Sequence, residues 1–258
     1  MTEFLVPLFM AVVQLSVLIG AVRMLHAGRR VLVVVFFAFA VASCLFSTLY
    51  WIVYDLLRPG TRMPFAANEI CEWAQFLLLA SSLCADFPER ISLRKALLPA
   101  ALFAAANTAL WIAWSGEWVQ DILTGFSLGW LLCVLISCFL ASGALSRAEW
   151  FVLGAAAFLV IALQTATFLV PAAVSQFLSL FCSVLLLAVA VLLPLKAVLS
   201  YRKGGRALPC FCLSYASFGW SIVVMYMSDN AVYYIALSLS ILCYPLMLWA
   251  IRKEVAAE

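Results

Sequence analysis

The chain has 258 residues, of which 67% are hydrophobic and 10% are charged, with a formal net charge of +3. Soluble domains carry roughly 45–50% apolar and 25% charged residues, so this composition indicates an integral membrane protein. It excludes a nucleic-acid binder, a secreted disulfide scaffold and a soluble catalytic domain, because no polar stretch longer than about 15 residues remains to build one.

Apolar segments of about 20 residues, the length that a helix needs to cross a hydrocarbon layer of ~30 Å, recur along the whole chain. We predict an all-α bundle of nine transmembrane helices that forms a single integral membrane domain over residues 1–258. The predicted spans are 4–24, 31–54, 66–85, 96–114, 118–140, 150–170, 173–199, 208–227 and 231–251.

The basic residues of the loops predict how these spans are oriented, since cytoplasmic loops are enriched in Lys and Arg. With nine spans, all of the 15 basic residues except Arg58 and Arg62 fall on one side, which predicts an outer N-terminus and an inner C-terminus. Only Met1, Thr2 and Glu3 precede the first segment, the reverse of a signal peptide, so we expect no cleavage there. Short loops and the lack of an Asn-x-Ser/Thr sequon favour a bacterial plasma membrane.

Spans three and five contain similar text that suggests an internal repeat. The sequence EWAQ begins at Glu72 and EWVQ begins at Glu117, an offset of 45 residues. One interpretation is a parallel duplication of a helical hairpin. The other is that the matches arise by chance, because these spans are built largely from a few residue types such as Leu, Ala, Ser and Trp.

The richest polar group of the chain lies on spans two and three. An ionisable side chain near the middle of a membrane costs about 2.5–3.5 kcal/mol on insertion scales, so each one requires a physical reason. Asn68, Glu72, Gln75 and Ser82 recur at helical spacing, which predicts one polar stripe facing the bundle. We predict an outward-facing site for a small ligand, a cation or a proton, formed by Glu72, Glu69, Gln75, Asn68, Asp55, Tyr54, Arg58, Arg62 and Asp121.

Purely structural interpretations of the same acids remain open. Glu69 lies in the first turn of a helix, where an acid favours the positive end of the macrodipole. Glu72 would form an ion pair with Arg58 or Arg62 that only pins the hairpin. Asp121 would be a solvated acid at a helix end, and the amides of Gln164 and Gln176 are interpreted as interhelical packing contacts.

Small residues on two spans predict close helix contacts. Gly125 and Gly129 form a G-x-x-x-G pattern in span five, and Ser217 and Ser221 form its analogue in span eight. In a bundle of this size such contacts are more often internal than between subunits, although a homo-oligomer stays open.

No catalytic residue, metal site or cofactor is predicted. His26 is the single histidine, the nine cysteines lie mainly in apolar runs and are interpreted as reduced thiols, and no nucleotide-binding motif occurs. Three functions remain: a sensor-like, receptor-like or accessory module with a separate cytoplasmic or membrane partner; a small secondary transporter or channel that uses Glu72 as its coupling acid; and a membrane-embedded enzyme acting on lipid. The polar groups concentrate at the outer end, which favours binding over passage, so the first is preferred.

Overall fold

The computed structural model describes residues 2–25, 30–58, 67–86, 92–143, 145–202, 204, 207–226, 228 and 230–256. Within these ranges the chain is all-helical, as predicted, and contains no strand. The nine helices of the described ranges are α1 (Thr2–Leu25), α2 (Val31–Leu57), α3 (Ala67–Asp86), α4 (Leu93–Ser115), α5 (Trp118–Ser142), α6 (Arg147–Thr167), α7 (Ala172–Arg202), α8 (Ala207–Tyr226) and α9 (Asn230–Ala256).

Eight of these nine helices are long and apolar enough to cross a membrane, so the chain has the helices of a multi-pass membrane protein. The remaining helix is α3, which carries Glu69, Glu72 and Asp86 within 20 residues. Its polarity follows from its position, because its polar side chains face other helices and not the periphery of the bundle. The crossing of α3, the orientation and the hairpin repeat stay predictions.

Local signals in the sequence end the helices. α4 and α5 are followed by Gly116 and Gly143 in the left-handed conformation (φ 77° and 64°), which glycine adopts without steric cost. α6 begins with a capping box, in which the Ser146 hydroxyl accepts the Glu149 N–H at 3.3 Å and the Ser146 N–H donates to the Glu149 carboxylate at 2.8 Å. Because these connections are short, consecutive helices run in opposite directions.

The bundle has two ends, which we name here by the residues that lie at each. At the first, which we call the basic end, Arg30 before α2 forms ion pairs with Asp86 of α3 and Glu254 of α9. Lys196 of α7 pairs with Glu149 of α6 at this same end. The opposite end, which we call the distal end, contains the last residues of α2, α4, α6 and α8.

Helix α8 occupies the centre of the bundle, and all its residues from 210 to 224 are buried. Phe218 packs between the rings of Phe76 and Tyr244, at centroid distances of 6.2 and 5.4 Å. α4 and α6 lie at the periphery, where Leu98 and Phe158 are 67% and 76% exposed. This distribution matches a bundle whose outer surface faces lipid and whose central helix contacts only protein.

The small residues noted in the sequence lie at a close contact between two helices in α5 and at hydrogen bonds within one helix in α8. A Cβ atom at Gly129 would come within 2.7 Å of the Ala104 Cβ atom, and one at Gly125 would overlap Thr108, so α5 lies very close to α4. Ser217 and Ser221 are fully buried in α8, and their hydroxyls donate to carbonyl oxygens of their own helix at 2.7 Å.

Candidate functional site

The polar stripe of α3 faces the interior of the bundle. Gln75 is 3% exposed and Ser82 is fully buried, while Glu72 is partly buried. The Ser82 hydroxyl donates to the Val33 carbonyl at 3.0 Å and lies 2.9 Å from the Tyr215 hydroxyl. Helical spacing accounts for this arrangement, because positions three, four and seven residues apart share one face.

Glu72 is held by neutral groups from two other helices. The Tyr226 hydroxyl of α8 donates to the Glu72 Oε2 atom at 3.0 Å, and the Ser47 hydroxyl of α2 lies 3.5 Å from the Oε1 atom. Within the described ranges, no Lys or Arg forms an ion pair with Glu72. The predicted partner Arg58 lies exposed after the end of α2, and Arg62 lies outside the described residues.

A cavity of about 60 Å³ adjoins the Glu72 carboxylate. Its walls come from several helices, and the Gln75 amide of α3 donates to the Tyr244 hydroxyl of α9 within it. The polar side chains that line it include Ser47, Thr48, Glu72, Gln75, Ser240 and Tyr244. A cavity of this size and polarity can hold water or a small ion, since one water needs at least about 10–15 Å³.

Apolar side chains separate this cavity from the basic end. Phe37, Phe76, Leu79, Phe211 and Phe218 are each no more than 1% exposed, and they pack together between α2, α3 and α8. Beyond them, Ser82 and Tyr215 form a polar contact at 2.9 Å. Buried apolar side chains therefore lie between the cavity and the basic end.

Most of the other predicted site residues lie apart from this cavity. Tyr54 stacks on Tyr50 at a centroid distance of 6.3 Å, and Asp55 follows it near the end of α2. Asp121, in the first turn of α5, accepts a hydrogen bond of 2.6 Å from Ser115 at the end of α4.

The acid and the amide at the start of α3 are also buried away from the cavity. Glu69 is 7% exposed, and the Oδ1 atom of Asn68 is buried without a hydrogen-bond partner in the described structure. Of the eight predicted site residues that the structure describes, Glu72 and Gln75 are the ones that line the cavity beside α3.

Sequence reasoning missed the partners that complete the site. Tyr226 and Tyr244 lie on α8 and α9, more than 150 residues along the chain from Glu72 and Gln75. A buried tyrosine in an apolar span was a usable signal, because its hydroxyl requires a partner. The sequence did not show which partner that is.

The described residues contain no group of three His, Cys, Asp or Glu side chains suited to a metal ion. No family model, curated protein or solved structure matches the chain.

Proposed function

We propose that the chain is a sensor-like, receptor-like or accessory membrane module in which Glu72 takes up a proton or a small monovalent cation. The observation that carries this proposal is a partly buried carboxylate whose hydrogen-bond partners in the described part of the chain, Ser47 and Tyr226, are both neutral. A carboxylate in such surroundings is stabilised by a proton or a bound cation, because an isolated buried charge is very costly. The cavity of about 60 Å³ has room for such a small ligand and not for a metabolite.

The surrounding oxygens support a cation as well as a proton. Hydroxyl and amide groups of Thr48, Gln75 and Ser240 line the same cavity as the carboxylate. Hard cations prefer such oxygen ligands, and one carboxylate neutralises one positive charge. A monovalent ion therefore suits the site better than a divalent ion, which usually has more than one acid.

Two features favour sensing over transport. Apolar packing around Phe76 and Phe218 lies between the cavity and the basic end, which disfavours passage of a bound ion through the bundle. Glu72 also joins three helices, since its partners lie on α2 and α8. A change of charge at Glu72 alters these contacts and so the packing of the three helices. A separate partner protein would respond to that change in packing.

The predicted orientation places this site towards the outside of a plasma membrane, where it would respond to the external medium. The transporter remains the alternative, with Glu72 as its coupling acid. A lipid-modifying enzyme has less support, because Glu72, Asp55 and Asp121 do not share one cavity.

The test compares wild type with Glu72→Gln and with a matched control, Glu69→Gln, one turn away on α3. The melting temperature of the purified protein is measured in Na⁺, Li⁺ or K⁺ against choline at constant ionic strength, and again from pH 4 to pH 9. We expect wild type and Glu69→Gln to respond to a cation or to pH, and Glu72→Gln to lose that response. Above the dissociation constant, each tenfold rise in cation adds about 1.4 kcal/mol of stability.

Identical responses of wild type and Glu72→Gln in both series would contradict the proposal. Flux of the stabilising cation or of protons into proteoliposomes, abolished by Glu72→Gln, would instead establish the transporter.

A further inference from the structure

A second and larger cavity lies between α4, α6 and α7 at the distal end. Its volume is about 500 Å³, against about 60 Å³ beside Glu72. Small-molecule sites in proteins usually measure roughly 300–1,000 Å³. Its wall includes two tryptophans of α4 and one glutamine each from α6 and α7, namely Trp111, Trp114, Gln164 and Gln176. A molecule of disaccharide size fits this cavity, whereas it does not fit beside Glu72.

The polar groups of this wall are uncharged. Besides the two glutamines, hydroxyls of four small side chains line it, and none of the lining residues in the described ranges is Lys, Arg, His, Asp or Glu. These hydroxyls belong to Thr167, Ser175, Ser179 and Ser183. A charged ligand would give up its hydration here without a counter-charge. Amides and hydroxyls both donate and accept hydrogen bonds, so they suit a ligand rich in neutral hydroxyl groups.

Aromatic rings form the side of the cavity that belongs to α4. Trp111 is 5% exposed and packs against Tyr226 at a centroid distance of 5.2 Å, while Trp114 is 65% exposed. A pyranose ring has apolar C–H faces and a polar edge of hydroxyls. A wall that contains indole rings as well as serine and glutamine side chains offers contacts to both parts of such a ring.

Tyr226 connects this cavity to the Glu72 site. Its side chain lines the larger cavity, and its hydroxyl donates to Glu72 at 3.0 Å. A second contact lies nearby, where Ser183 of the cavity wall is 3.2 Å from Ser228 in the connection between α8 and α9. A ligand that moves Tyr226 would therefore change the hydrogen bonding of the Glu72 carboxylate.

We propose that the cavity between α4, α6 and α7 binds a neutral polyhydroxylated group, supplied by a free sugar or by a glycolipid headgroup, and that Tyr226 transmits its binding to Glu72. The transmission step rests on the function proposed for Glu72. The binding step does not, because it depends only on the walls of the larger cavity.

The test uses the full chain purified in a polyoxyethylene detergent, which has no sugar headgroup. Three probes are titrated by tryptophan fluorescence and melting temperature: maltose as the free sugar, dodecyl maltoside below its micellar concentration as the lipid-like form, and maltobionate as the charged analogue. Ser179→Phe fills the cavity, and Val184→Phe places the same phenyl ring on α7 at a residue that is 55% exposed and outside the cavity lining.

We expect saturable binding of maltose or of dodecyl maltoside, and weaker binding of maltobionate. Ser179→Phe should reduce the affinity at least tenfold, whereas Val184→Phe should not change it. Gln176→Ala should weaken binding by about tenfold, the effect of one lost hydrogen bond of ~1.4 kcal/mol. Binding of maltose indicates a free sugar, and binding of dodecyl maltoside alone indicates a lipid headgroup.

Three outcomes would overturn the binding proposal: no binding of either neutral probe, equal affinity for maltobionate, or unchanged affinity in Ser179→Phe. Transmission is tested in Tyr226→Phe, which keeps the ring and removes the hydroxyl. This variant should still bind the sugar, but the sugar should no longer alter the response to cation or pH. An unaltered coupling in Tyr226→Phe would refute the transmission step. If the melting temperature of Glu72→Gln responds to cations and to pH as wild type does, the function proposed for Glu72 fails. The sugar-binding proposal is judged separately, by the affinity for the neutral probes.

Discussion

The close contact between α4 and α5 leads to a sharp prediction for Gly129→Ala. The added Cβ atom would lie 2.7 Å from the Ala104 Cβ atom. Carbon atoms pack best about 3.5–4.0 Å apart, so the two helices must separate locally by roughly 1 Å. Because both atoms are attached directly to backbone, no side-chain rotation relieves the overlap. Overpacking of this kind costs about 1–3 kcal/mol.

A matched control separates packing from helix propensity. Alanine stabilises a helix interior by up to ~1 kcal/mol relative to glycine, whatever its neighbours. A Cβ atom added at Gly154 of α6 would have no other atom within 4 Å, so Gly154→Ala should show that gain alone. Gly129→Ala should be the less stable of the two by about 1–3 kcal/mol, the overpacking cost.

The assay is equilibrium unfolding in mixed micelles, followed by circular dichroism. Gly125→Ala provides a second case, because its Cβ atom would overlap the Thr108 hydroxyl and lie 3.1 Å from the Thr108 Cβ atom. Equal free energies of unfolding for Gly129→Ala and Gly154→Ala would refute the inference that close packing of α4 on α5 requires glycine.

Three further predictions use the same unfolding assay. Arg30→Met should destabilise the protein by about 3–5 kcal/mol, because it leaves the Asp86 side chain, which is 1% exposed, without its cation. The double variant Arg30→Met/Asp86→Leu should recover much of this loss, and no recovery would contradict the ion pair. Tyr244→Phe should cost about 1–3 kcal/mol, because the buried Gln75 amide loses its acceptor, and an unchanged stability would argue against that bond. Ser146→Ala should cost about 0.5–2 kcal/mol through loss of the capping box, and a neutral result would show that packing alone holds the start of α6.

The helices themselves were predictable because each depends on residues close together in the sequence. The first span was predicted over residues 4–24, and α1 extends from Thr2 to Leu25. Apolar runs, helix-ending glycines such as Gly116 and caps such as Ser146 act within a few residues. The burial of Gln75 and Ser82 followed from helical spacing in the same way.

The candidate site was predictable only in part. Glu72 and Gln75 were identified because a polar residue in an apolar span is costly wherever the helix packs. Their partners Tyr226 and Tyr244 were not identified, since nothing local in the sequence specifies which distant helix approaches α3. Gln164 and Gln176 were interpreted as packing contacts, yet both line the larger cavity.

The sequence by itself determined that this is a multi-pass helical membrane protein and that Glu72 faces other helices, because hydropathy and helical periodicity are short-range properties. Only the tertiary structure decided that α8 is the central helix, that Glu72 is held by neutral hydroxyls and that Tyr226 lies between two cavities. These features depend on which apolar faces pack together. Helices of similar composition offer many such faces of nearly equal hydrophobicity, and side-chain shape selects among them.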